Sequence, residues 1–145
     1  MKIGWIGTGV MGSSMCKHMM TKGYAMQCFN RTASKADDCV KAGAVFTSPI
    51  EMAKNVDVMI LMLGYPEDVE TMCLGKEGIV QHMKAGSYLV DHTTSSPGLA
   101  VKVSEEAEKR QVHCIDAPVS GGDVGAKNGC LVTMIGGHEE HVQAC

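Results

Sequence analysis

One stretch of sequence decides the fold of this chain: residues Lys2–Gly12 read KIGWIGTGVMG. A short apolar run comes first, and three glycines follow with the spacing GxGxxG, at Gly7, Gly9 and Gly12. The residues from there to Lys22 carry the amphipathic pattern of a helix. A strand, a glycine-rich turn and a helix in this order predict the first βαβ unit of a Rossmann-type sheet.

Each glycine of this turn has a distinct predicted task. Gly7 permits the tight turn, Gly9 lets the backbone approach a pyrophosphate, and Gly12 allows close packing of helix on strand. The start of the helix supplies unpaired N–H groups and a positive dipole end to the phosphates. The alternative is a glycine-rich turn that is only structural.

The second predicted strand, Tyr24–Phe29, runs into Asn30-Arg31-Thr32. An acidic residue at this point would bind the ribose 2′-OH of NAD(H) and repel a 2′-phosphate. Asn30 lacks that charge, Arg31 can grip a phosphate with two N–H groups, and Thr32 and Lys35 add a hydroxyl and a second cation. We therefore expect NADP(H), with NAD(H) as the alternative; a surface turn with a solvated guanidinium is the other interpretation.

The rest of the chain alternates strands and helices, which predicts an α/β fold with a mostly parallel, doubly wound sheet and helices on both faces. The first helix, Val10–Lys22, should turn Val10, Ser14, Cys16, Met19 and Met20 to the sheet. Further strands are predicted at Ala44–Phe46, Asp57–Leu63, Ser87–Asp91, His113–Asp116 and Leu131–Ile135. Further helices are predicted at Ser34–Ala42 with Ser34 as its cap, after Pro49, at Pro66–Leu74 and at Pro97–Arg110. Ala117–Gly129 is so rich in glycine that we expect no regular structure there.

Two later segments end predicted strands and carry polar groups. In Asp91–Pro97 the hydroxyls could face a ligand or simply cap a helix, and His92 is either a general base or a structural histidine. In Asp116–Gly122, Ser120 and the two glycines after it could present a hydroxyl and successive N–H groups to a small carboxylate, or form a plain loop.

Composition excludes several classes of protein. The 145 residues hold 13 Lys and Arg against 16 Asp and Glu, with no long basic run, so we expect no nucleic-acid partner. No apolar run suits a transmembrane helix and the first residues lack a signal peptide, so we expect no membrane partner. Seven cysteines, an odd number without CxxC spacing, predict free thiols in a reduced compartment, and we expect no bound metal.

The four motifs GxGxMG, NRT, DxTTxSP and DAPVSGG occur in this order over nearly the whole chain. In this respect the chain resembles the β-hydroxyacid dehydrogenases, the 3-hydroxyisobutyrate dehydrogenase family, and its NRT element is most similar to NADPH-dependent glyoxylate and succinic semialdehyde reductases. The resemblance implies that NADP binds at Gly7, Gly9, Val10, Met11, Gly12, Asn30, Arg31 and Thr32, with Leu63, Gly64 and Thr94 near the nicotinamide. It also implies a small carboxylate substrate held by Ser120, Gly121 and Gly122.

The same resemblance implies parts of the enzyme that residues 1–145 do not contain. The family's catalytic Lys lies in a GxGxxxKxxN motif that leads into an all-helical C-terminal domain, and neither that motif nor such a domain precedes Cys145. We therefore expect one NAD(P)-binding domain, cut before its last strand, which binds cofactor without turning over substrate. A non-catalytic NADP-binding or interaction module and a 6-phosphogluconate dehydrogenase-like domain are the alternatives. For the whole protein we expect a homo-oligomer in the cytoplasm, or in the mitochondrion if a targeting segment was removed.

Overall fold

Six short parallel strands form the main sheet of the protein, which a computed structural model describes over residues 1–145. They are β1 (Ile3–Ile6), β2 (Met26–Phe29), β3 (Val45–Phe46), β4 (Val58–Leu61), β5 (Tyr88–Asp91) and β6 (His113–Asp116). The helices are α1 (Val10–Thr21), α2 (Asp37–Lys41), α3 (Pro49–Asn55), α4 (Pro66–Leu74), α5 (Pro97–Glu108), α6 (Gly122–Asn128) and α7 (Glu139–Ala144). Single 3-10 turns lie at Ala33–Ala36 and Ile79–His82, and β7 (Val119–Ser120) pairs with β8 (Val132–Thr133) in a separate hairpin. No helix combines the length and the apolar character that crossing a bilayer requires.

The strand order in the main sheet is β3-β2-β1-β4-β5-β6. The chain moves outward in one direction from β1 to β3, and it returns to the other side of β1 for β4. In sheets of this kind the crevice beyond the carboxyl ends of the two central strands receives the ligand. The residues that follow Ile6 and Leu61 are therefore the ones that the topology brings to this crevice.

The two central strands are apolar on both faces because both faces are covered by helices. All four residues of β1 and all four of β4 are buried. On one face α3, α4 and α5 contribute Met52, Val69 and Val103 to a core cluster. On the other face α1 and α2 contribute Cys16 and Cys39 to a second cluster. The doubly wound sheet predicted from the alternation of elements is thus confirmed.

Most predicted elements are confirmed with boundaries that differ by one or two residues. The predicted strand Asp57–Leu63 is shorter at both ends, and the helix Pro97–Arg110 stops at Glu108. Val10 is an exception among the residues predicted to face the sheet, because it is 72 % exposed and belongs to neither core cluster. The first residue of a helix lies beyond the strand ends, where no sheet surface remains to cover it.

The prediction of irregular structure over Ala117–Gly129 is wrong. This segment contains β7 and the seven-residue helix α6. Its glycines stand mainly at the helix ends, where Gly121, Gly122 and Gly129 have positive φ values of 132°, 61° and 65°. Glycine content alone predicted a loop, whereas the positions of the glycines mark the beginning and the end of a helix.

Two other elements differ from their predicted form. The predicted helix Ser34–Ala42 divides into the 3-10 turn and the short helix α2, and the residue before the turn is Thr32, which makes no side-chain capping bond. Ser34 is therefore not its cap. The predicted strand Leu131–Ile135 forms only β8, which runs antiparallel to β7 outside the main sheet.

The turn after β1 is packed more closely than any side chain would allow. Gly7 has a φ of 99°, and a Cβ there would overlap the backbone carbonyl of Met62. Gly12 lies against the same turn, and a Cβ there would overlap the carbonyl oxygen of Gly7 and lie 3.2 Å from the indole nitrogen of Trp5. That indole nitrogen donates a hydrogen bond of 2.9 Å to the Gly7 carbonyl.

We expect Gly12→Ala to lower the free energy of unfolding by about 1–3 kcal/mol, the usual cost of overpacking. In a helix with free space the same change normally stabilises, because alanine loses less backbone entropy on folding. Gly98 in α5 is the matched control, since a Cβ there meets no atom within 4 Å. Gly98→Ala should raise the free energy of unfolding by about 0.4–1 kcal/mol. Urea denaturation of the three proteins measures both effects, and a Gly12→Ala protein as stable as the parent would contradict this packing.

Candidate dinucleotide-binding site

A cleft of about 580 Å³ lies beyond the carboxyl ends of β1 and β4, at the switch point of the sheet. Ten residues that the sequence predicts for the cofactor line it: Gly7, Gly9, Val10, Met11, Gly12, Asn30, Arg31, Lys35, Leu63 and Gly64. Tyr65, which belongs to the predicted Leu63-Gly64-Tyr65 turn on the nicotinamide side, lines it as well. Six further residues line it that the sequence did not single out in this role: Ile6, Phe29, Met62, Asp68, Thr71 and Met72.

The floor of the cleft is the glycine-rich turn and the first turn of α1. Gly9 precedes this helix in an extended conformation, and a Cβ built on it would meet no atom within 4 Å. No side chain caps the helix, and its first turn has no acidic residue. The first backbone N–H groups of a helix have no partner inside it, so this end offers donors and a positive partial charge to an anion. The arrangement fits the pyrophosphate of a dinucleotide.

Asn30 ties the glycine-rich turn to the end of β2. Its Oδ1 accepts a hydrogen bond of 3.0 Å from the backbone N–H of Thr8, and its Nδ2 donates one of 3.0 Å to the carbonyl oxygen of Thr32. The amide oxygen and one amide N–H are therefore both hydrogen-bonded to the protein backbone. Asn30 lines the cleft mainly as a brace of its wall, and Thr32 does not line it.

Arg31 and Asp68 form an ion pair from opposite walls of the cleft. Arg31 follows β2, whereas Asp68 belongs to the first turn of α4. Nη1 of the arginine donates to Oδ1 of the aspartate across 3.3 Å. The arginine side chain is 89 % exposed, and that of the aspartate is 31 % exposed. The guanidinium is thus free to reorient, while the carboxylate has a more fixed position.

The ends of β4 and β5 are joined by a buried threonine. Oγ1 of Thr93 accepts a hydrogen bond of 2.9 Å from the backbone N–H of Leu63, and the Thr93 N–H donates to Oδ1 of Asp91 across 2.9 Å. This places the loop after β5 directly beside the Leu63–Gly64 turn. Thr94, the next residue, is exposed on that loop and is not part of the cleft lining.

Two carboxyl groups stand side by side at the ends of β5 and β6, where Asp91 and Asp116 are paired in register. Burial raises the pKa of Asp91 to about 6, although hydrogen bonds from Thr93 oppose the shift. Burial also raises the pKa of Asp116. Both groups hold their protons more tightly than an exposed aspartate does.

His92, which the sequence left as a general base or a structural residue, is engaged in packing. Its Nδ1 donates to the carbonyl oxygen of Ala117 across 2.7 Å, since a carbonyl can only accept, and its ring stacks on Trp5 at 6.0 Å. Burial lowers the pKa of this imidazole, which favours the neutral ring. His92 does not line the cleft.

The segment predicted to hold a carboxylate is attached to the helix that opens the cleft. Ser120, Gly121 and Gly122 are exposed and do not line the cleft. They immediately precede or begin α6, which packs on α1. Nε2 of His18 in α1 donates to the carbonyl oxygen of Lys127 in α6 across 2.9 Å.

Position in the cleft separates the predicted residues into two groups. The glycine-rich turn, the end of β2 and the turn after β4 come together there, whereas Thr32, Thr94 and Ser120–Gly122 lie outside. Nothing in the sequence assigned Asp68 to the cleft, because an acidic residue shortly after Pro66 is typical of the first turn of any helix. Only the crossing of β4 to the centre of the sheet brings this turn opposite Arg31.

The fold and the cleft define a Rossmann-type domain whose cleft suits a dinucleotide. Comparison of the sequence with known families identifies it further: a family model described as the NAD binding domain of 6-phosphogluconate dehydrogenase matches residues 2–145. The chain belongs to this family.

Individual relatives point to one group of oxidoreductases. The chain is 49 % identical over 144 residues to a probable 3-hydroxyisobutyrate dehydrogenase-like 1, mitochondrial, of Arabidopsis thaliana, a match covering 98 % of this chain and 43 % of the relative. It superposes on Mycobacterium tuberculosis 3-hydroxyisobutyrate dehydrogenase, solved with L-serine, with a TM-score of 0.92 at 29 % identity, covering 99 % of this chain and 48 % of that one. Psf3, solved in complex with NADP+ and 2-OPP, gives a TM-score of 0.92 at 26 % identity, covering 98 % and 51 %. The chain spans about half the length of the relatives it matches.

The raised pKa of Asp91 generates a pH-dependent stability whose sign differs from that of most aspartates. An unfolded aspartate has a pKa of about 3.9, and burial raises that of Asp91 to about 6. Between these values the folded state binds more protons than the unfolded state, so this group's contribution to the free energy of unfolding falls as the pH rises and is constant above the folded pKa. Asp91→Asn keeps an acceptor for the Thr93 N–H and has no charge. We therefore expect the free energy of unfolding of Asp91→Asn, relative to the parent, to rise between pH 4 and 6.

Asp57 is the matched control for this experiment. The Lys2 backbone N–H and the Lys84 ammonium lower the pKa of its carboxyl. Asp57→Asn should therefore lose stability relative to the parent at neutral pH and approach it in acid, the opposite sign. Urea titrations at pH 4, 5, 6 and 7 compare the three proteins. A difference between Asp91→Asn and the parent that is the same at every pH would refute the assignment.

Proposed function

We propose that this domain binds NADP(H) in preference to NAD(H), and that the whole protein uses it for hydride transfer between the nicotinamide and a small β-hydroxyacid or semialdehyde. The observation that carries the proposal is the open space in front of Gly9 at the uncapped start of α1, inside the cleft at the switch point. A backbone approach without a side chain is what a pyrophosphate needs at that point. The residues that would hold this part of the cofactor are Gly7, Gly9, Val10, Met11 and Gly12.

The preference for NADP(H) is supported by the charges near the end of β2. No acidic residue follows this strand directly, and Arg31 and Lys35 both line the cleft there. A guanidinium binds a phosphate through two parallel, charge-assisted hydrogen bonds, whereas its hydrogen bond to an uncharged ribose hydroxyl is much weaker. The NADP+ bound to Psf3, a structural neighbour, is consistent with this choice. Asn30 and Thr32 would complete the ribose side, and Leu63, Gly64 and Thr94 the nicotinamide side.

The proposed substrate class rests on the names of relatives and on the chemistry of the segment after β6. Relatives in Arabidopsis and Mycobacterium are named as 3-hydroxyisobutyrate dehydrogenases or as similar to them. Glyoxylate and succinic semialdehyde are the related substrates that the NRT element suggests. Gly121 and Gly122 have positive φ values, and successive N–H groups in such a conformation suit a carboxylate, which the hydroxyl of Ser120 would also contact.

The nicotinamide, when bound, would supply or accept the hydride at the substrate carbon. The proton at the substrate oxygen would come from the Lys that the family resemblance assigns outside residues 1–145. His92 is engaged with Ala117, and Lys127 forms an exposed pair with Asp123 at 3.9 Å, so neither is our proposed donor. We accordingly propose that residues 1–145 bind cofactor without turning over substrate.

For the whole protein we further propose association into a homo-oligomer. We also propose the cytoplasm as its compartment, with the mitochondrion as the alternative. The Arabidopsis relative and a mouse 3-hydroxyisobutyrate dehydrogenase both carry "mitochondrial" in their names, which supports that alternative. Imaging of the tagged full-length protein and its mass in solution would distinguish these assignments.

Gly9→Ala tests the pyrophosphate site. The added methyl group enters open space in the protein, so we expect a loss of folding free energy of no more than about 1 kcal/mol, the scale of a poorer helix cap. The same methyl group blocks the approach of a pyrophosphate to the backbone, so the affinity for NADP+ and for NAD+ should fall at least about tenfold, or about 1.4 kcal/mol. Isothermal titration calorimetry measures both ligands. Unchanged binding of both would contradict the proposed site.

Arg31→Ala tests the cofactor preference. A charge-assisted hydrogen bond contributes about 1.5–3 kcal/mol, so we expect NADP+ to bind the variant about tenfold more weakly or worse, with NAD+ binding nearly unchanged. Lys41, the last residue of α2, does not line the cleft, and Lys41→Ala removes the same charge as a control. It should alter neither affinity by more than about twofold, the scale of a screened surface charge. Equal affinities of the parent protein for the two cofactors would refute the preference.

A further inference from the structure

The ion pair between Arg31 and Asp68 is the only one in the protein whose two members both line the cleft. It joins the end of β2 to the first turn of α4, across the mouth of the site. Nη1 of the arginine already has Oδ1 of the aspartate as an acceptor at 3.3 Å. The guanidinium that would bind a 2′-phosphate therefore has an acceptor supplied by the protein itself.

The aspartate is the fixed member of the pair. Its backbone N–H donates to the carbonyl oxygen of Tyr65 across 3.1 Å, which holds it in the first turn of α4. Gly64 lies beside it, since a Cβ there would be 3.7 Å from Oδ2. About a third of the carboxylate side chain is exposed, compared with nearly nine-tenths of the arginine side chain. A ligand that binds this guanidinium must therefore either move the arginine off the carboxylate or share the guanidinium with it.

We propose that Asp68 is a specificity-determining residue that competes with the 2′-phosphate of NADP(H) for Arg31 and so limits the preference over NAD(H). This inference rests on the proposed function. A dinucleotide with a free 2′-hydroxyl leaves the ion pair intact, and its affinity does not depend on Asp68. A dinucleotide with a 2′-phosphate breaks the pair or shares the guanidinium with Asp68. Its binding is therefore weakened by the free energy of the ion pair that is lost. Because exposed ion pairs are weak, that reduction is about two- to fivefold.

The test is Asp68→Asn in the 145-residue chain, with NADP+ and NAD+ titrated by calorimetry. We expect NADP+ to bind about two- to fivefold more tightly than to the parent, and NAD+ to bind with the same affinity. Glu67→Gln is the matched control, because it removes the same charge from the same helical turn at a residue that does not line the cleft. An equal gain in Glu67→Gln would overturn the proposal, because it would indicate a general effect of net charge. Weaker binding of NADP+ to Asp68→Asn would also overturn it.

The same substitution in the Arg31→Ala background separates competition from direct repulsion of the phosphate. With the arginine absent there is nothing to compete for, so Asp68→Asn should then leave NADP+ binding unchanged. An equal gain in both backgrounds would overturn the proposal in favour of repulsion. Urea denaturation of each variant verifies that it is folded. If the parent binds neither dinucleotide, the proposed function itself fails; if it binds both and Asp68→Asn changes neither affinity, only the role of Asp68 fails.

Discussion

The rest of the structure depends on one close contact, the packing of the first turn of α1 against the turn that follows β1. Gly12 lies on the carbonyl of Gly7 at a distance that excludes any Cβ, and Gly7 lies similarly close to the backbone of Met62, the residue that follows β4. The Gly7 N–H donates to the carbonyl oxygen of Phe29 across 2.9 Å, so the same residue also contacts the end of β2. Three neighbouring strands thus end at a common point because a residue without a side chain stands between them.

The order of the sheet and the chemistry of the cleft are two consequences of this contact. When β1 is central and its turn is this tight, α1 starts directly over the strand ends and its N–H groups point into the crevice. The walls then come from whichever segments follow β2 and β4. One wall carries Arg31 and the other carries Asp68, so opposite charges face each other across a site that would receive an anion. The electrostatics of the site is therefore determined by residues from two segments that are distant in sequence.

Local sequence was enough to predict the parts of the molecule whose physical causes are local. The GxGxxG turn, the buried run of β4 and the proline-started helices α4 and α5 each depend on neighbours a few residues away. The prediction for α6 was wrong because it relied on the number of glycines in the segment. It did not take into account that Gly121 and Gly129 stand at the two ends of a helix. The pairing of Arg31 with Asp68 and the docking of His18 on Lys127 join residues 37 and 109 positions apart. Such contacts follow from the strand crossing and from helix packing, for which a single sequence has no signal.

The attachment of α6 to α1 has a geometric consequence. The first turn of α1, which begins at Val10, forms part of the floor of the cleft. Eight residues later His18 donates to the carbonyl oxygen of Lys127 in α6, the helix that follows Ser120. A helix advances about 1.5 Å and turns about 100° per residue, so the separation and the angle between these two points are fixed by the number of residues between them. Loops elsewhere can lengthen without moving either point, but an insertion of one residue in α1 would swing His18 away from α6. The length and the rotational phase of this twelve-residue helix therefore set the position of α6, and of the segment with Ser120 before it, relative to the glycine-rich turn.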